Sequence, residues 1–126
     1  MAKILVAEDE ADIRELIVFS LTFSGFEVIA AVNGEEAVQK ALQEKPDLIM
    51  LDVLMPRMSG YEACAVIKQT NELKDIPVVI LSAKGQESEI EAGLEAGAYE
   101  YILKPFALDE LIAKVKRIVG ESSAPM

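Results

Sequence analysis

Short unbroken runs of Ile, Val and Leu recur along this chain, each followed by a stretch with helical spacing. That alternation limits the fold more than any other feature. The runs lie at residues 4–7, 28–32, 48–51, 78–81 and, less cleanly, 99–103. None shows period-two alternation, which is the pattern of strands buried on both faces of a parallel sheet. Between them, Ile13, Leu16, Ile17, Ser20 and Leu21 share one helical face, as do Ala37, Val38, Ala41 and Leu42. The clearest helix carries Leu108, Leu111, Ile112, Val115, Ile118 and Val119 at spacings of three and four. Asp109 and Glu110 open it and Lys116 and Arg117 are read as its last turn, the sense favoured by the helix dipole.

Turn chemistry divides the chain at the same places. Asn33-Gly34, Lys45-Pro46-Asp47 and Asp75-Ile76-Pro77 separate helical from strand-like pieces, and Gly25 stands where a left-handed helix cap is expected. The pattern βαβαβαβαβα predicts an α/β fold, a doubly wound five-stranded parallel sheet with helices on both faces. A length of 126 residues fits one core. Residues 1–120 read as the domain and 121–126 as a disordered tail or linker stump.

Composition removes several chemistries. With no histidine there is no Ser-His-Asp triad, no Cys-His pair and no imidazole ligand. Cys64 is the single cysteine, so the chain holds no internal disulfide, as suits a reducing compartment. Twenty-two acidic against 12 basic residues give a net charge of −10, which opposes direct nucleic-acid binding and favours a cation as small partner. The apolar run at the start stops at Glu8-Asp9-Glu10, too short for a signal-peptide core, and no run reaches the ~20 residues of a membrane helix. A cytoplasmic chain with no membrane contact is expected.

In an open parallel sheet, ligands bind outside the carboxyl ends of the strands. The first strand runs into Glu8-Asp9, the third into Asp52, the fourth into Ser82 and the fifth into Lys104-Pro105. Each residue alone reads as a cap, a turn former or a solvated lysine. Together, three carboxylates, a hydroxyl and an ammonium converge on one rim. Clustered carboxylates call for a hard divalent cation, and Mg²⁺ takes carboxylate, water and phosphate oxygens. With Lys104 and Ser82 beside it, such a site would hold a phosphoryl group, and one aspartate would be its acceptor.

The segments Lys3-Ile4-Leu5-Val6-Ala7-Glu8-Asp9-Glu10, Asp47-Leu48-Ile49-Met50-Leu51-Asp52-Val53-Leu54-Met55-Pro56, Ser59-Gly60, Ile80-Leu81-Ser82-Ala83 and Tyr101-Ile102-Leu103-Lys104-Pro105-Phe106 resemble the CheY-like receiver domain of two-component response regulators. The likeness spans residues 2 to about 119. It implies a flavodoxin-like strand order 2-1-3-4-5. It further implies that Asp52 is phosphorylated by a sensor histidine kinase or a histidine phosphotransfer protein. Asp9, Asp52 and the Leu54 carbonyl would bind Mg²⁺ directly, and Glu8 through water. Lys104 would contact the phosphoryl group, Ser82 would hydrogen-bond it, and Tyr101 would turn inward as the aromatic switch. A cis Lys104-Pro105 bond is expected. The chain would be a signalling phosphoacceptor, not an enzyme acting on a separate substrate, and lacking histidine it cannot be its own donor.

This sequence departs from the commonest receiver pattern in two places: the acidic pair is Glu8-Asp9 and the switch hydroxyl is serine. Leu54 and Lys84 hold two positions near the site that tune phosphoryl lifetime in the family. On the first helix Val18 and Phe19 project away from the expected core face, with Phe23 at its border, and receivers commonly dock their donor there. The surface of the fourth helix, fifth strand and fifth helix, with Leu94, Tyr99, Glu100, Lys114 and Arg117, resembles the face through which many receivers form homodimers or meet partners. Tyr99 stands where those often carry an acid. Two rivals share parts of this pattern. An aspartyl phosphohydrolase needs a second aspartate two residues after the nucleophile, where Leu54 stands, and a flavin module needs a hydroxyl-rich loop where Glu8-Asp9-Glu10 stands.

Overall fold

A computed structural model of the chain describes residues 2–53, 55–83, 97–104 and 106–123, the side chains of 83, 104 and 121–123 aside. Strands β1 (Lys3–Ala7), β2 (Glu27–Ala31), β3 (Leu48–Asp52), β4 (Val78–Ala83) and β5 (Glu100–Lys104) form one parallel sheet in the order β2-β1-β3-β4-β5. Helices α1 (Ala11–Phe23), α2 (Gly34–Glu44) and α3 (Gly60–Gln69) follow the first three strands, and α4 (Leu108–Ser123) follows the last. The helix expected between β4 and β5, with Leu94, falls on residues outside the described ones. The doubly wound flavodoxin-like order is the one the receiver-domain resemblance implies.

Successive strand residues point to opposite faces, and each face has its own core. Leu5, Ala7, Ile49, Leu51, Val78 and Ile80 meet Ala37 and Ala41 of α2 and Ala63, Cys64 and Ile67 of α3. Ile4, Val6, Leu48, Met50, Val79 and Leu81 meet Ile17 and Leu21 of α1 and Leu111, Val115 and Ile118 of α4. The sheet is thus covered on both sides, α1 and α4 on one and α2 and α3 on the other.

Several sequence expectations need correction. Leu16 and Leu42, read as core-facing, are 51% and 40% exposed, because each helix buries a stripe narrower than its apolar spacing allows. Residue Val32 lies beyond β2 and is exposed. β2 itself is an edge strand, its residues mostly half-buried or exposed, so the rule of two-sided burial fails there. Helix α4 continues through Ser123, so Lys116 and Arg117 do not form its last turn.

The helix ends follow the expected chemistry. Gly25 (φ 102°) ends α1, with its N–H on the Thr22 carbonyl and the Phe26 N–H on that of Leu21, a Schellman arrangement. Asn33 caps α2 through the Glu36 N–H. Ser59 caps α3: its hydroxyl accepts from the Glu62 N–H at 3.2 Å, and the Glu62 carboxylate accepts from the Ser59 N–H at 3.1 Å. Next to that cap, Gly60 presses its Cα against the end of β3. Its N–H donates to the Val53 carbonyl at 3.1 Å, and a Cβ there would fall on the carbonyl oxygen of Asp52. Backbone cannot rotate away as a side chain can. Gly60→Ala is expected to cost about 2 kcal/mol of stability through this overpacking, read by urea denaturation. A loss below about 0.5 kcal/mol, the scatter of surface substitutions, would show that the turn yields.

Candidate functional site

Because the strands are parallel, their carboxyl ends share one edge. Ala7 lies opposite Leu51 in the β1–β3 ladder, so the next residues, Glu8 and Asp52, are neighbours at the rim. One carboxylate oxygen from each of Glu8, Asp9 and Asp52 lies within 4.8 Å of the others. Glu8 is wholly buried and Asp52 is 6% exposed, whereas Asp9 is open to solvent. The sequence expectation that residues far apart in the chain meet here holds for these three carboxylates.

The backbone around them is held firmly. The Glu8 N–H donates to the Ala31 carbonyl at 3.1 Å, and the Val53 N–H to that of Leu81 at 3.1 Å. The Glu10 N–H reaches the Glu8 carboxylate at 3.4 Å. Arg14, on the first turn of α1, donates through Nη1 to the carbonyls of Glu8 at 2.8 Å and Asp9 at 3.4 Å. Sequence reading missed Arg14. The only signal for it was a basic residue one helical turn past an acidic strand exit.

Ser82 sits inside β4, fully buried, and among the described residues its hydroxyl has no hydrogen-bond partner. A buried hydroxyl left without a partner costs about 1–3 kcal/mol, so Ser82 is a polar group to account for at this end of β4. Tyr101 lies opposite Ile80 on β5 and packs half-buried against the core beneath α2 and α3. The backbone of Lys104 ends β5 opposite Ala83. Its side chain, with Leu54, Lys84 and Pro105, lies outside the described residues.

The donor set suits a hard cation. Carboxylate oxygens sharing one Mg²⁺ stand roughly 3–4 Å apart, which this cluster reaches with little closing. Neither sulfur nor imidazole competes for the position, since Cys64 is buried within the core and the chain has no histidine.

Two surface features lie outside the carboxylate cluster. On α1, Val18 is half-buried and Phe19 is 69% exposed; with Arg14, Glu15, Thr22 and Ala30 they line a mostly apolar groove of about 360 Å³. Phe23, read from sequence as a border residue, is 85% exposed and stacks on Phe19 with ring centroids 6.3 Å apart. With Leu16 these rings make an exposed apolar stripe. At the amino end of β5, Glu100 pairs with Lys114 at 2.8 Å and Arg117 at 2.6 Å on α4. Partial burial pushes the Glu100 carboxyl upward, but hydrogen bonds and charge from the two cations outweigh it and hold the group below the usual range. Tyr99 beside it is 48% exposed.

A family profile described as the response regulator receiver domain matches residues 4–116. The chain is 41% identical over 121 residues to the response regulator MprA of Mycolicibacterium vanbaalenii, covering 96% of this chain and 52% of that protein. It is 45% identical over 120 residues to the alkaline phosphatase synthesis transcriptional regulatory protein PhoP of Bacillus subtilis, covering 95% of this chain and 49% of that one. A crystal structure of a response regulator from Chloroflexus aurantiacus superposes with a TM-score of 0.90 at 37% identity, over 94% of this chain and 98% of the other. The chain therefore belongs to the receiver-domain family of two-component response regulators. It spans about half the length of the curated relatives it matches. Among the described residues no helix is long and apolar enough to cross a membrane.

Crowding three carboxylates costs energy when no cation balances them. Asp9→Asn is expected to raise the unfolding temperature of the metal-free chain by a few degrees and to shrink the further rise on adding MgCl₂. An unchanged or lower midpoint in metal-free buffer would show that the cluster is not strained by repulsion.

Proposed function

We propose that Asp52 is the phosphoacceptor and that the donor is a phosphohistidine on a sensor histidine kinase or histidine phosphotransfer protein. The meeting of Glu8, Asp9 and Asp52 at one rim carries this reading. An Asp52 carboxylate oxygen attacks phosphorus and forms the P–O bond of an acyl phosphate. The P–N bond breaks, and its electron pair stays on the donor imidazole. Glu8, Asp9, Asp52 and the Leu54 carbonyl would hold Mg²⁺, which when bound neutralises charge on the phosphoryl oxygens. Lys104 grips one of those oxygens, and the buried hydroxyl of Ser82 donates to another. Movement of Ser82 toward the new group leaves room for Tyr101 to turn inward. A later water attack on phosphorus returns the free carboxylate. The chain is thus a participant consumed and restored by signalling, with no separate substrate.

The groove of Val18 and Phe19 receives the donor helix, close to the acidic rim through Arg14. The face of β5 and α4 carries the output, through dimerisation or a partner, and phosphorylation adds about −1.5 to −2 of charge to bias it. Two relatives are named as a response regulator and a transcriptional regulator about twice as long. With a net charge of −10 here, any DNA contact would belong to another domain. A cytoplasmic setting fits a kinase-fed acceptor.

Incubation with a small acyl phosphate and Mg²⁺ should label the chain, and Asp52→Ala should abolish both labelling and the NMR response to beryllium fluoride. Labelling that survives in that variant, or steady turnover of a phosphomonoester, would overturn the assignment. Replacing Val18 and Phe19 by glutamate should slow transfer from the kinase about tenfold or more, as loss of a central apolar anchor does. Labelling by the small donor should stay near its original rate. Equal loss of both would reject the docking groove.

A further inference from the structure

We propose that Arg14 is a positioning residue that sets the geometry of the carboxylate site and so its preference for a small octahedral cation. This rests on the reading of Glu8, Asp9 and Asp52 as a Mg²⁺ site. Arg14 touches neither the carboxylates nor, by its placement, the reacting atoms. Its Nη1 spans the carbonyls of Glu8 and Asp9, the two residues where the chain leaves β1. The guanidinium is anchored at its other end, because the Arg14 N–H closes the first helical bond of α1 onto the Glu10 carbonyl at 2.9 Å. One side chain therefore ties the strand exit to a helix packed on the core through Ile17 and Leu21. Glu8 is pinned from two sides, its N–H on Ala31 and its carbonyl on Arg14. Asp9 is exposed and has the Arg14 contact as its described backbone restraint on this turn.

Two effects of Arg14 on the metal oppose each other. Its positive charge, permanent at any physiological pH, should repel a divalent cation. Its hold on two backbone carbonyls should fix the directions of two ligand side chains, and lost outer-shell contacts of that kind typically weaken metal binding 10–100-fold. Positioning and charge thus predict opposite signs. Mg²⁺ demands near-ideal octahedral geometry, whereas Ca²⁺ tolerates a loose one. Removing a positioning group should therefore harm Mg²⁺ binding more than Ca²⁺ binding. General destabilisation of the fold would not separate the two ions.

The test is calorimetric titration of the metal-free chain with MgCl₂ and with CaCl₂. Arg14→Met keeps the aliphatic stem and removes the donors, and its fold is checked by NMR amide spectra. The expected result is Mg²⁺ affinity about tenfold weaker with a smaller loss for Ca²⁺, and Arg14→Lys falling between wild type and Arg14→Met. Mg²⁺ affinity that is unchanged or tighter, or equal losses for both ions, would overturn the proposal. If Arg14→Met fails to fold, Arg14→Gln is read by the same criteria. Absence of saturable Mg²⁺ binding by the wild-type chain would overturn the site reading and this inference together. Normal wild-type binding with an indifferent variant would overturn Arg14 alone.

Discussion

A strand buried on both faces has no place for a polar side chain except at its ends. Residues 4–7, 48–51 and 78–81 are at most 1% exposed, and every side chain there is apolar. The three central strands are closed above by α1 and α4 and below by α2 and α3. Polar chemistry is thereby driven to the edges. Parallel direction gathers the strand ends onto one rim, and register then decides which residues meet. The pairing of Ala7 with Leu51 makes Glu8 and Asp52 neighbours, although 43 residues separate them in the chain. Slipping that ladder by one residue would exchange the two cores and scatter the carboxylates at once.

The rim is expensive to maintain. It buries Glu8 and nearly buries Asp52, and it leaves the Ser82 hydroxyl without a partner among the described residues. Rigid backbone contacts around the rim offset this. Gly60 and the Ser59 cap fix the end of β3, while Arg14 and Ala31 fix the exit from β1. The Arg14 and Ala31 contacts act on main-chain atoms of Glu8 and Asp9 and not on their carboxylates. Buried polar groups thus gather where the strands end, at the rim that carries the proposed site.

Most of this architecture is legible in sequence because it depends on short-range patterns. Unbroken apolar runs identify the central strands, and Gly25, Asn33 and Ser59 mark helix ends with residue types the geometry requires. That the strand exits meet at one rim follows from topology, and register settles which carboxylates are neighbours. What pattern cannot supply is the width of each buried stripe. Leu16 has perfect helical spacing for the core and still faces solvent, 51% exposed, with no described residue covering it on that side of α1. Edge position likewise decides the exposure of β2, and nothing within 27–31 announces it. Arg14 was illegible for a different reason: its partners are carbonyls, which every residue carries, so no side-chain type signals the contact.

One cleft at the other edge of the sheet is lined by both Ala2 and Val119, together with Asp47, Asp75, Pro46 and Pro77. Residues near the two ends of the described chain thus come together as far from the carboxylates as the strands are long. This cleft and the carboxylate cluster share no lining residue, so a substitution at one edge of the sheet can be made without touching the side chains of the other.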